Sequence, residues 1–223
     1  MWGPKKMKLY INKRILSQTT LDSGEITPMM AIMHRFAEPG TYNVTVLQGD
    51  NQTASFPLIV NENATQMLNR IDLGAANCSC AANPKAPTVF HAPKATKGYS
   101  VLVEKFEGTE RSKVFDSKNL QDGDIFFATL LRPGDYYASN QRCAKCKISV
   151  SPLKTKRMQF TVTSPQGISR PNIETVQIEC TSTGFKPENV NIQSAQPLVF
   201  NIRAPSRIKI EYETAEKQEA KAS

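Results

Sequence analysis

Apolar residues in this chain recur at every second position, and the three-to-four spacing of a helix is almost absent. Tyr42, Val44 and Val46 alternate with Thr41, Asn43 and Thr45, the signature of a half-buried strand. Further strands are predicted at Met7–Ile11, Arg14–Ser17, Ile26–Phe36, Ala54–Val60, Tyr99–Phe106, Lys113–Phe115, Asp124–Leu131, Asp135–Ser139 and Lys147–Val150. A last set is predicted at Met158–Thr163, Thr175–Cys180, Asn189–Gln193, Leu198–Arg203 and Arg207–Tyr212. Strands of this kind bury one face and wet the other, so they need a second sheet to cover them. The expected class is all-β, in antiparallel β-sandwiches.

With 223 residues the chain has room for one large β domain or two to three small ones. The predicted division is a first module at 1–62, a linker at 63–97, a second region at 98–213 and a polar tail at 214–223. The second region is read as one sandwich or as two subdomains, 98–152 and 157–213. The stretch around Asn77–Gly98 holds several prolines and alanines and no alternation, with one short helix expected at Ala64–Asp72.

The turns repeat. Leu21-x-x-Gly24-Glu-Ile26, an apolar strand and Pro39-Gly-x-Tyr42 return as Leu120-x-x-Gly123-Asp-Ile125, an apolar strand and Pro133-Gly-x-Tyr136. A looser third copy begins at Gln196-Pro-Leu-Val-Phe200 and runs to Ala204-Pro-Ser-Arg-Ile208. In each, a tight turn starts a buried strand and a proline turn brings the chain back, which argues for related modules.

Glu38-Pro-Gly-Thr-Tyr-Asn-Val-Thr-Val46 followed by Ser55-Phe-Pro-Leu-Ile-Val60 resembles bacterial and archaeal Ig-like adhesion-type domains of the CARDB group, over about residues 5–62. That resemblance implies a seven-strand sandwich used for spacing, adhesion or docking, with no catalytic residues to transfer. Arg132-Pro-Gly-Asp-Tyr-Tyr137 with Lys147-Ile-Ser-Val150, and then Phe185-x-Pro187, Val190-x-Ile192 and Leu198-Val-Phe-Asn-Ile202, is similar to cupredoxin-like domains. That family holds copper with two His, one Cys and often Met. Here the loop before Lys147 offers Cys143 and Cys146 without His or Met, so the resemblance implies a degenerate cupredoxin-like sandwich lacking the copper set.

Five cysteines are present: Cys78 and Cys80 as C-x-C, Cys143 and Cys146 as C-x-x-C, and Cys180 alone. Cys78, Cys80, Cys143 and Cys146 could hold zinc, copper or an iron–sulfur centre, form disulfides, or be inert thiols. A redox C-x-x-C opens a helix, whereas Lys147–Val150 follows at once as a strand. No cofactor is required by any other feature. Sequons at Asn43, Asn51, Asn63 and Asn77, and a Thr-, Asn- and Ser-rich composition, point to an extracellular, cell-surface or periplasmic setting. Met1–Lys8 lacks the apolar core of a leader, and the longest apolar runs are too short for a transmembrane helix.

The net charge of +8 is uneven. Between Tyr136 and Ile173 no Asp or Glu occurs, while Arg142, Lys145, Lys147, Lys154, Lys156, Arg157 and Arg170 do. Arg142 to Arg157 is thus a candidate anion site for an anionic surface or polymer, or a solvated face that protects strand edges. Nucleic acid is not the expected partner, because stacking aromatics are not interleaved.

Met29, Met30, Met33 and His34 are soft ligands, but on a strand residues four apart lie about 13 Å from each other, so core packing is expected. His91 is expected in the linker loop. Asp122/Asp124 and Glu107/Glu110 are expected to serve turns rather than catalysis. No nucleophile elbow, zincin, phosphate loop or dinucleotide motif is present. The expectation is a non-enzymatic accessory or scaffold protein that binds a protein partner or self-assembles through sandwich edges. The alternative is a metal-binding protein using the four paired cysteines.

Overall fold

The computed structural model describes residues 13–75, 80–108, 110–141, 144–153 and 174–213. One helical turn, α1 (Lys13–Leu16), precedes the strands. In chain order these are β1 (Thr20–Asp22), β2 (Met30–His34), β3 (Gly40–Gln48), β4 (Asn51–Val60), β5 (Asn69–Asp72), β6 (Cys80–Ala82), β7 (Thr88–His91), β8 (Ser100–Glu107) and β9 (Glu110–Asp116). They continue as β10 (Ile125–Thr129), β11 (Gly134–Ser139), β12 (Lys145–Ser151), β13 (Val176–Thr181), β14 (Gly184–Lys186), β15 (Asn189–Gln193), β16 (Pro197–Ile202) and β17 (Lys209–Tyr212). The described chain is nearly all β and builds several sheets, an arrangement compatible with a β-sandwich.

Alternation decides which face is buried. Tyr42, Val44 and Val46 on β3 and Phe56, Leu58 and Val60 on β4 point into the core. Pro57 sits within β4 opposite Asn43, one residue before the described pairing with β6 begins at Leu58.

One five-stranded sheet runs β6-β4-β3-β8-β9, and a second runs β1-β17-β11-β12-β15. A seven-stranded sheet runs β14-β13-β16-β10-β2-β7-β5. Its order mirrors itself about the β10–β2 seam. β2 is antiparallel to β7, which is parallel to β5; β10 is antiparallel to β16, which is parallel to β13. The five-stranded sheets correspond in the same way. β3 is antiparallel to β4 and β8, with β6 parallel to β4; β11 is antiparallel to β12 and β17, with β15 parallel to β12.

Two repeats follow, β2–β8 and β10–β17, with β14 an extra edge strand of the second. Their first strands are exchanged. β1, which leads into β2, pairs with β17 of the second repeat, and β9, which leads into β10, pairs with β8 of the first.

Buried side chains obey the same correspondence. Ile32 faces Phe126 across the seam; Phe90 lies beside Ile32 as Phe200 lies beside Phe126; Ile71 and Ile178 come next. All six are buried. Tyr42 and Tyr136 close equivalent corners, each hydroxyl donating to the carbonyl four residues upstream, Glu38 at 2.6 Å and Arg132 at 2.9 Å. The glycine before each turns at positive φ, 152° for Gly40 and 135° for Gly134. Opposite Tyr42 stands Lys105, held by Glu38 and Glu107; opposite Tyr136 stands Tyr212, under the Arg132 guanidinium at 4.2 Å. One scaffold position carries an ion pair in one repeat and a cation–π contact in the other.

Several expectations are corrected. Arg14–Ser17 falls on α1 and its exit, because the Ser17 N–H turns back to the Lys13 carbonyl instead of meeting a strand. The helix expected at Ala64–Asp72 is absent: Asn69–Asp72 is a strand, drawn out by pairing with β7. The stretch 63–97 contains β5, β6 and β7, of which β6 pairs with β4 and β7 with β2, while β3 pairs with β8 and β2 with β10 beyond it. β5, β6 and β7 have three or four residues, too few to display alternation. The third repeat copy lies on β16, the counterpart of β7 rather than of β2. Met7–Ile11, Met158–Thr163 and the tail at 214–223 lie outside the described residues.

Candidate functional site

Of the four paired cysteines, Cys78 and Cys143 lie outside the described residues. Cys80 is on β6 and Cys146 on β12, in different sheets. Cys146 is fully buried and its Sγ lies 3.4 Å from the Pro187 carbonyl oxygen. Burial, with a smaller effect of Glu188, pushes its thiol up to about 11, so at neutral pH it is a thiol and not a thiolate. Cys180 is also buried, against the Ser206 hydroxyl at 3.4 Å. Among the described residues no two cysteines are bridged, and no group of three or more His, Cys, Asp or Glu converges as a metal would require.

Arg142, Lys154, Lys156 and Arg157 are outside the described residues as well. Lys145 and Lys147 lie on β12. Lys147 Nζ is 2.9 Å from Asp135, whose other oxygen accepts from Ser149 at 2.7 Å. The lysine and then the serine hold the Asp135 carboxyl below its ordinary range. Lys147 is therefore matched by a carboxylate on the neighbouring strand.

His91 is not in a loop but on β7, between Ala31 on β2 and Asp72 on β5. Met29 is exposed and sits just before β2, with Met30 buried and sharing a strand face with His34.

His34 and Asp124, ninety residues apart in sequence, are brought together by the seam. Ile125 pairs with Met33, so the next step along the two antiparallel strands sets Asp124 opposite His34. His34 Nδ1 is 2.6 Å from Asp124 Oδ1. Asp124 is 2% exposed, and its second oxygen accepts from the Gln121 N–H at 2.7 Å. Gly123, at a φ of 88°, makes the turn that delivers Asp124 to this place. The His34 ring packs against Phe36 at 4.5 Å and Phe115 at 4.8 Å between ring centres. An ionised carboxylate can only accept, so Nδ1 carries the hydrogen of this bond.

The same row continues along the sheet. His34 pairs with Thr88 on β7, and Thr88 with Asn69 on β5. Thr88 and Asn69 are almost wholly buried. Among the described residues, Thr88 Oγ1 and both amide atoms of Asn69 have no hydrogen-bond partner. Four polar side chains thus stand side by side on the face of the sheet that carries Ile32, Phe90, Ile71 and Phe126. Among the described residues no hydroxyl or thiol is hydrogen-bonded to His34. One surface hollow is lined by hydroxyls from Ser17 to Thr27 with Lys94 and another lies around Asp135 and Tyr212; neither includes His34 or Asp124.

Sequence reasoning weighed His34 and Asp124 separately, one as core filler and the other as a turn residue. The available signal was the repeat itself: two similar strands of one sheet can pair antiparallel, and that pairing would align the end of one with the start of the other. No helix of the described residues is long and apolar enough to cross a membrane. Comparison of the chain with protein-family models, curated proteins and solved structures finds no match.

Proposed function

We propose that the chain is a non-enzymatic, exported or cell-surface accessory protein, built from two Ig-like β-sandwich repeats that work as one rigid scaffold for protein partners. The observation that carries this reading is the seven-stranded sheet running unbroken through both repeats. Tandem domains on a linker reorient freely unless their interface is large. Here β2 and β10 are hydrogen-bonded neighbours, and β1 and β9 each complete the other repeat's sheet. A body of this kind holds its loops at a set separation, the property that a spacer or docking platform needs. Exposed Met67 and Leu68, in the loop between β4 and β5, offer apolar contact to a partner.

Backbone ¹⁵N relaxation tests the scaffold reading. A single rotational correlation time for β2–β8 and β10–β17 is expected; two separate times would overturn it. Labelling of intact cells with a membrane-impermeant amine reagent tests the location. Protection of the chain until cells are lysed would remove the surface assignment.

A further inference from the structure

We infer that the row Asn69–Thr88–His34–Asp124 holds at least one internal water molecule, bound between Asn69 and Thr88. Asn69 is 2% exposed and Thr88 is 0% exposed, yet three polar atoms on these two residues lack partners among the described residues. Buried amide and hydroxyl groups are almost always hydrogen-bonded, and where protein supplies no partner an ordered water does.

The register argues for a bridge. Asn69 and Thr88 are paired neighbours on parallel strands. Their backbones are about 4.8 Å apart, and their side chains emerge on the same face. One water between them accepts from the Asn69 Nδ2–H and donates to Thr88 Oγ1 or Asn69 Oδ1. A water with two to four such partners is a normal structural component. Thr88 is also the neighbour of His34, whose Nδ1 is taken up by Asp124. The water therefore completes a polar row that reaches from the edge strand β5 to the seam between the repeats. Leaving these atoms unsatisfied would work against the sheet at the point where His34 and Asp124 join its two halves.

Oxygen-17 magnetic relaxation dispersion on the intact chain counts long-lived internal waters and is not confused by exchanging hydroxyls. Thr88→Val is nearly isosteric and removes the hydroxyl. The expected result is a loss of dispersion amplitude equal to one water or more, with a lowered Tm. Retention by Thr88→Ser is expected, since the hydroxyl stays. An unchanged amplitude in Thr88→Val, or a raised Tm, would overturn the assignment, because a truly unsatisfied hydroxyl is better replaced by a methyl. Should the variants fail to fold, a crystal structure of the unmodified chain decides the matter. Ordered solvent within hydrogen-bond distance of the Asn69 amide supports the site, and its absence there rejects it.

Discussion

Ile32 and Phe126 face each other across the β2–β10 seam, each fully buried and each flanked on its far side by a phenylalanine, Phe90 or Phe200. Truncating either should weaken both repeats at once. Ile32→Ala or Phe126→Ala is expected to cost about 3–5 kcal/mol. Urea unfolding followed by a probe in each repeat should give one shared transition at a lower midpoint. Two transitions, with only one displaced, would contradict the shared core.

Tyr42→Phe and Tyr136→Phe each delete a corner hydrogen bond while keeping the ring. Each should cost about 0.5–1.5 kcal/mol. The corners share no partner, so the double variant should show the sum of the two losses within error. Chemical denaturation of the three variants checks this; a large coupling would mean that the corners communicate.

Gly134 and Gly40 are equivalent in backbone but not in surroundings. A Cβ on Gly134 would come within 2.5 Å of the Tyr212 ring, whereas one on Gly40 would meet the end of the Lys105 side chain at 3.3 Å. Gly134→Ala should therefore be the more damaging, by about 1–3 kcal/mol, since the aromatic ring cannot yield as a lysine can. A pair of thermal melts settles the order.

Asp124→Ala would strip a partner from His34 Nδ1 and from the Gln121 N–H in a buried setting. A loss of about 2–3 kcal/mol is expected, with Asp124→Asn milder because it keeps an acceptor. Equal stability of Asp124→Ala and the parent chain would show that the contact is incidental.

Cys146 supplies a test in alkali. Its folded-state value of about 11 exceeds the ordinary 9.0. The corresponding stability is full below about pH 9 and is lost as pH rises through about 11, since the unfolded thiol ionises first. The loss should be of the order of 1–2 kcal/mol. Cys146→Ala should flatten this part of the stability–pH curve. Tyr136, pushed up to about 12 by burial, extends the decline to higher pH. An identical alkaline slope in Cys146→Ala and the parent would refute the assignment.

The long strands were legible because alternation over six to ten residues is a strong signal, as at Thr41–Leu47 and Ala54–Val60. β5, β6 and β7 were not. A strand such as Thr88–His91 owes its shape to β2 and β5 on either side rather than to its own four residues. The paired turns at Gly24 and Gly123 were visible as a repeat, but turn grammar does not say that the strands after them would lie side by side. The His34–Asp124 contact depends on that adjacency, so neither residue carries the information alone. Its neighbours Thr88 and Asn69 lay in a stretch read as linker.

The exchanged leading strands bear on how this protein can be taken apart. Neither repeat is a contiguous length of chain with all of its own strands. Cutting before β9 or after it strands one half's edge in the other piece. A fragment chosen by the boundaries of sequence similarity would expose bare backbone on β8 or β17 and tend to aggregate. The repeating unit and the unit of folding are different pieces of this molecule.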